Sequence, residues 1–142
     1  MRNKKLWAVV VVVITVISLL TGCQKSEPLV IKDSETCIVL TVTEKILDGK
    51  KDMVLIDYMD MLAEEGKLTC TISNGMVTSI NGKDNAADYS SCWMLYTSDV
   101  DNANTAWGTV EYQGKEYGSA ASGAEELKMK AGELYIWVYQ SF

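Results

Sequence analysis

Side chains alternate with a period of two through residues 36–43. Ile38, Leu40 and Val42 fall on one side, Cys37, Val39, Thr41 and Thr43 on the other, which predicts a β-strand. The period then changes. Leu55, Tyr58, Met59 and Leu62 recur at i, i+3, i+4 and i+7 across residues 52–65, with Asp57, Asp60 and Glu64 on the opposite side. That spacing predicts one amphipathic helix, with Asp52 as its N-cap and Gly66 as its stop. Alternation resumes in residues 67–73 and 76–80. The intervening Asn74-Gly75 accepts φ > 0 at both central turn positions, so these two runs are predicted to form a hairpin. Asn81-Gly82 ends its second strand. Residues 83–91 and 98–106 are polar and predicted as loops, on either side of a strand at 92–97. Residues 108–112 and 115–117 around Gln113-Gly114 predict a second hairpin. Small residues at 119–124 predict a loop, 126–129 a short strand, and 134–139 the last strand.

One helix among many short strands predicts an α+β protein, β-grasp-like, with the amphipathic helix packed on a mixed β-sheet. The last strand has two different faces. Leu134, Ile136 and Val138 are aliphatic, whereas Tyr135, Trp137 and Tyr139 are aromatic. A single helix covers one face. The other is expected either to be an exposed aromatic platform, which Trp93 would join by phase, or to be a second small core under the loops. Exposed aromatic patches mark contacts, so Tyr89, Trp93, Trp107, Tyr135, Trp137 and Tyr139 are the candidate ligand-binding residues.

The N-terminus changes the picture more than the composition does. Arg2, Lys4 and Lys5 precede an almost unbroken apolar run over residues 6–20, followed by Leu20-Thr21-Gly22-Cys23. About 15 apolar residues suit a signal h-region better than a spanning helix of roughly 20. The Leu-x-Gly-Cys ending resembles a bacterial lipobox, which implies a lipoprotein signal peptide at 1–22 and a lipidated Cys23. The alternatives are an ordinary cleaved signal or a single membrane anchor. Residues 23–35 are then the lipidated cysteine and its tether, residues 36–142 one small domain. The expected location is the extracytoplasmic face of the cell membrane, held by two acyl chains.

The formal charge of the whole chain is −6; losing the leader's three positive charges takes it to −9. That excludes nucleic acid as an expected partner. With Cys23 lipidated, Cys37, Cys70 and Cys92 remain. Their compartment permits a disulfide, yet the odd number leaves a thiol over. There is no histidine, and no nucleophile elbow, phosphate loop or dinucleotide fingerprint, so no catalytic residue is assigned. The acidic side of the helix is a solvated face. Asp99, Asp101, Asn102 and Asn104 begin like a calcium loop and form a candidate metal site. Ala103, Asn104 and Val110 stand where an EF-hand requires a ligand, a glycine and a bidentate glutamate.

Two stretches bear a family resemblance. Gly75-Met-Val-Thr-Ser-Ile-Asn-Gly82, then Tyr89 and Cys92-Trp-Met-Leu-Tyr96, is similar to the transcobalamin-like C-terminal domain of small bacterial lipoproteins. The closing Glu126-Leu-Lys-Met-Lys-Ala-Gly-Glu-Leu-Tyr-Ile-Trp137-Val-Tyr139 resembles that family's final segment, and the similarity spans residues 36–142. It implies a β-grasp-like fold and extracytoplasmic ligand binding, with a corrinoid as a possible ligand. The remaining alternatives are an interaction subunit of a cell-surface or transport assembly, and a calcium-binding lipoprotein.

Overall fold

The computed structural model describes Leu29–Val30 in their backbone and residues 35–142 in full. The expected signal peptide and Cys23 lie outside the described residues. The strands are β1 (Leu29–Val30), β2 (Cys37–Thr41), β3 (Cys70–Ser73), β4 (Met76–Ile80), β5 (Lys83–Asp84), β6 (Ser91–Thr97), β7 (Ala103–Tyr112), β8 (Lys115–Ala120) and β9 (Leu134–Ser141). The α-helices are α1 (Glu44–Leu47) and α2 (Leu55–Glu64), and a 3-10 turn covers Val100–Asn102. A six-stranded sheet has the order β1-β7-β8-β6-β9-β2, and a three-stranded sheet the order β3-β4-β5. All pairs are antiparallel except β1 with β7. The protein is therefore mostly β with few helices, a mixed α+β architecture. Among the described residues no helix is long and apolar enough to cross a membrane.

Turn chemistry is where sequence and structure agree most closely. Asn74 and Gly75 adopt φ of 52° and 76°, Asn81 and Gly82 49° and 78°, and Gln113 and Gly114 50° and 75°. Each pair joins antiparallel neighbours in the left-handed conformation that matches strand twist. The predicted end at Asn81-Gly82 is thus a second hairpin turn, into β5.

Helix α2 buries Leu55, Tyr58 and Met59 of the predicted stripe, and Leu62 is half-buried against the same core. It starts later than expected. Asp52 does not cap it; its carboxylate accepts from Lys128 Nζ at 2.8 Å. The N–H groups of Leu55 and Ile56 donate to the carbonyls of Leu127 and Ala124, at 2.9 and 3.0 Å. Segment 124–129 therefore satisfies the orphan donors of the first turn, a task usually given to a capping side chain. The short strand expected at 126–129 is this segment, joined to Val54 by one isolated bridge at Lys128. At the other end Gly66 (φ 70°) and Lys67 donate to Ala63 and Leu62, at 3.0 and 2.8 Å, a Schellman stop at the predicted glycine. Other boundaries move. The polar stretch after β2 holds α1, capped by Thr43 Oγ1, and β7 begins inside the expected 98–106 loop.

Cross-strand register decides which face is core. Leu40 lies opposite Tyr135, and Ile38 and Leu95 opposite Trp137. Residues directly opposite share a face. The aromatic face of β9 therefore joins the aliphatic face of β2, and this is the face on which α2, β4 and segment 124–129 pack. Leu55, Met59, Ile80, Leu127, Tyr135 and Trp137 meet in one buried cluster. The expected exposed aromatic platform is corrected here: Trp93, Tyr135 and Trp137 are core. The aliphatic face carries a second cluster of Tyr96, Val110, Ile136 and Val138. β9 lies between β6 and β2 with a cluster on each face, and Tyr135 to Val138 are all buried.

Candidate functional site

The three tryptophans of residues 35–142 converge on one cleft. Trp93 comes from β6, Trp137 from β9 and Trp107 from β7. Met76 and Val77 of β4 form one flank and the small residues 120–124 the other, around about 320 Å³. None of the lining residues is titratable. The space is apolar and at the small end of ligand sites, which run from about 300 to 1,000 Å³.

Each wall has a local cause. Between Asn104 and Thr109 the register of β7 against β8 shifts, so residues 105–108 are looped out opposite the step from Ser119 to Gly118. Bulges re-aim side chains. This one turns Trp107 outward, 64% exposed, at the rim of the cleft. Gly108 takes a φ of 122° there, which only glycine adopts without strain. Gly118 lets the bulge lie against β8: a Cβ added to it would meet Thr105 N and Cγ2 at 3.2 Å and Ala103 Cβ at 3.3 Å. Gly118→Ala is therefore expected to push the bulge away and destabilise the protein by about 1–3 kcal/mol. Denaturant titration checks the cost, and a shifted Trp emission maximum checks the displacement of Trp107.

The two buried indoles are used differently. Trp93 Nε1 donates to the Lys83 carbonyl at 2.8 Å, and its backbone N–H to Asn85 Oδ1 at 2.9 Å. Asn85 Nδ2 donates in turn to the Val77 carbonyl at 3.1 Å, so this residue of the predicted polar loop ties the small sheet to the large one. Trp137 is 4% exposed, and its Nε1 has no hydrogen-bond partner among the described residues.

The other candidates separate from the cleft. Tyr135 is fully buried, its hydroxyl accepting from Lys130 N–H at 2.7 Å. Tyr139 stands edge-on to Trp93 at 5.4 Å and donates to the Asp84 carbonyl at 2.8 Å, with the Lys83 ammonium 4.6 Å from its ring. Tyr89 is exposed in a turn with φ 58° and lies outside the lining. Met76, Val77 and residues 120–124 were not singled out in the sequence; the small-residue run was their one visible signal.

The candidate metal loop is also corrected. Lys130 Nζ donates to Asp99 Oδ1 at 2.8 Å and to Asp101 Oδ2 at 3.0 Å. Asn102 Nδ2 donates to Asp99 Oδ2 at 2.7 Å, and Asn104 Oδ1 turns away to accept from Ala106 N–H at 3.0 Å. The ammonium takes the place a cation would need. Burial pushes the Asp99 carboxyl up, but the lysine, the asparagine amide and the Asp101 N–H outweigh it and hold the group below its ordinary value. Cys37, Cys70 and Cys92 are all free thiols, each pushed up by burial and so poorly nucleophilic.

Comparison with protein-family models, with curated proteins and with solved structures finds no match to this chain.

Proposed function

We propose that the protein is a lipid-anchored binding module on the extracytoplasmic face of the membrane, taking a small apolar ligand in the three-tryptophan cleft. The observation that carries this is the convergence of Trp93, Trp107 and Trp137 on one uncharged space whose rim exposes Trp107 and Met76. A cleft lined by no titratable side chain suits binding better than acid–base or nucleophilic catalysis. The transcobalamin-like resemblance supports a ligand-binding role, and a β-grasp-like arrangement of helix and sheet belongs to the same reading. A corrinoid far exceeds a space of about 320 Å³, so this chain would hold one edge of it.

Titration with corrinoids and other tetrapyrroles, followed by Trp emission, tests the module. Binding should quench the exposed Trp107, and Trp107→Ala should weaken it at least about tenfold while leaving stability within about 0.5 kcal/mol. Unchanged emission at saturating concentrations of every ligand tried would sink the small-molecule reading. The exposed Trp107 and Met76 would equally serve a protein contact, the second reading. In that case mild solubilisation co-purifies a membrane partner, and Trp107→Ala releases it.

The anchor rests on Arg2, Lys4, Lys5, the apolar run and Cys23. Cys23→Ser is expected to abolish incorporation of labelled fatty acid and block maturation of the precursor. Labelling that survives the change would remove lipidation at Cys23.

A further inference from the structure

We propose that the mouth of the cleft rests on the bilayer, with Trp107 and Met76 seated in the interface of neutral lipid beside the anchor; this rests on the lipidation of Cys23 proposed above. Residues 23–35 are expected as tether, yet Leu29 and Val30 join the six-stranded sheet as β1, opposite Val110 and Glu111 of β7. Six peptide steps separate Leu29 from Cys23, a reach of at most about 20 Å. A domain of about 100 residues has a radius of gyration of about 13 Å and is roughly 35 Å across. A leash shorter than the domain is wide keeps the β1 side of the sheet at the membrane.

Strand direction turns the bulge towards the anchor. β1 runs parallel to β7, so its N-terminal end points back along β7 from Val110 towards Gly108 and Trp107. Carried through β8 and β6, the same direction leads to the start of β6 and the end of β9, where Tyr89 and Phe142 are exposed. Charge then selects the lipid. Residues 68–82, 102–110 and 117–124 hold Met76, Trp107 and most of the small-residue wall, and contain no Asp, Glu, Lys or Arg. Attraction to anionic lipid needs basic residues; the lining has none, and Glu125 against Gly75 adds a carboxylate at its flank. An exposed indole and thioether on an uncharged rim suit the interface of neutral lipid, where tryptophan is enriched.

The mature lipidated protein, reconstituted in phosphatidylcholine vesicles, tests this. Flotation on a density gradient first reads the anchor. Trp93 and Trp137 are core, so the emission lost on Trp107→Phe is the signal of the exposed indole. Vesicles whose acyl chains carry bromine, a contact quencher, should remove most of that signal, and aqueous acrylamide should lose access to it. Lys115→Trp in the Trp107→Phe background gives a second reporter, exposed at the opposite tip of the β7–β8 hairpin. It should stay open to acrylamide and unaffected by bromine.

Protein that floats while Trp107 stays open to acrylamide and unquenched by bromine would overturn the proposal and leave the anchor and the ligand-binding cleft in place; a protein partner on the rim gives this result. Equal quenching of both reporters would also overturn it, because the domain then keeps no fixed side towards the bilayer. Protein that does not float removes the anchor at Cys23, and the docked rim with it.

Discussion

Tyr135→Ala is expected to lower the stability of the protein by about 3–5 kcal/mol, the range for truncating a large buried aromatic side chain. A domain of this size holds roughly 5–15 kcal/mol in all, so the loss takes a large share of it. Two terms add. The ring is fully buried among residues of α2, β2 and segment 124–129, where a cavity would remain. Its hydroxyl accepts from Lys130 N–H at 2.7 Å, so removal also orphans a backbone donor. Tyr135→Phe isolates the second term and should cost about 1–2 kcal/mol. Urea titration of both variants measures the difference. A change below about 0.5 kcal/mol for the alanine variant would place Tyr135 on a surface, as an exposed aromatic platform requires.

That platform shows where sequence alone runs out. The alternation in 134–139 correctly grouped Tyr135, Trp137 and Tyr139 on one side, and the phase of Trp93 correctly put it with them; Trp93 lies opposite Tyr139. What a single strand cannot carry is its neighbour's register. Leu40 opposite Tyr135 makes the aromatic face continuous with the largest aliphatic residues of β2, and that combined face receives the helix. Position within the sheet was equally invisible. β9 carries the main cluster on one face and a second cluster on the other, so neither was free to become a surface.

Local signals fared better because their cause is local. The Asn-Gly and Gln-Gly turns and the Gly66 stop depend on φ alone, and the sequence displays them directly. The helix start failed for the opposite reason: its orphan N–H groups are met by carbonyls of Leu127 and Ala124, about seventy residues away, and no nearby side chain announces this. The site followed the same rule. Trp93, Trp107 and Trp137 were candidates by residue type, but their meeting depends on a bulge between Asn104 and Thr109 that Gly118 permits. Met76 and residues 120–124 had no chemistry of their own to mark them.

Asp99→Ala is expected to destabilise the protein by about 2–3 kcal/mol near neutral pH, and by progressively less in acid. Asp99 is 2% exposed and ties together Lys130, Asn102 and the Asp101 N–H. Hydrogen bonds to a charged group contribute about 1.5–3 kcal/mol each, but Lys130 is 46% exposed and keeps Asp101, so the sum is well short of additive. Its folded carboxyl is held below the ordinary value of about 4. Its contribution is therefore present above that value and lost as pH falls through the lower folded one. Lys130 is raised, so its side of the pair persists below its ordinary range near 10.4 and fades as pH rises through the higher folded value. Lys130→Met separates the partners. With the ammonium gone, burial acts on Asp99 against weaker opposition and its carboxyl rises, so this variant should be weakest at neutral pH and recover towards wild type in acid. Thermal melts of both variants across pH check the profiles. Because Lys130 already sits on both carboxylates, excess calcium should leave the wild-type melting temperature unchanged relative to chelator. A calcium-dependent rise would mean that Asp99 answers to a metal ion, and a Lys130→Met deficit that does not shrink in acid would mean that the lysine does not act through the Asp99 carboxylate.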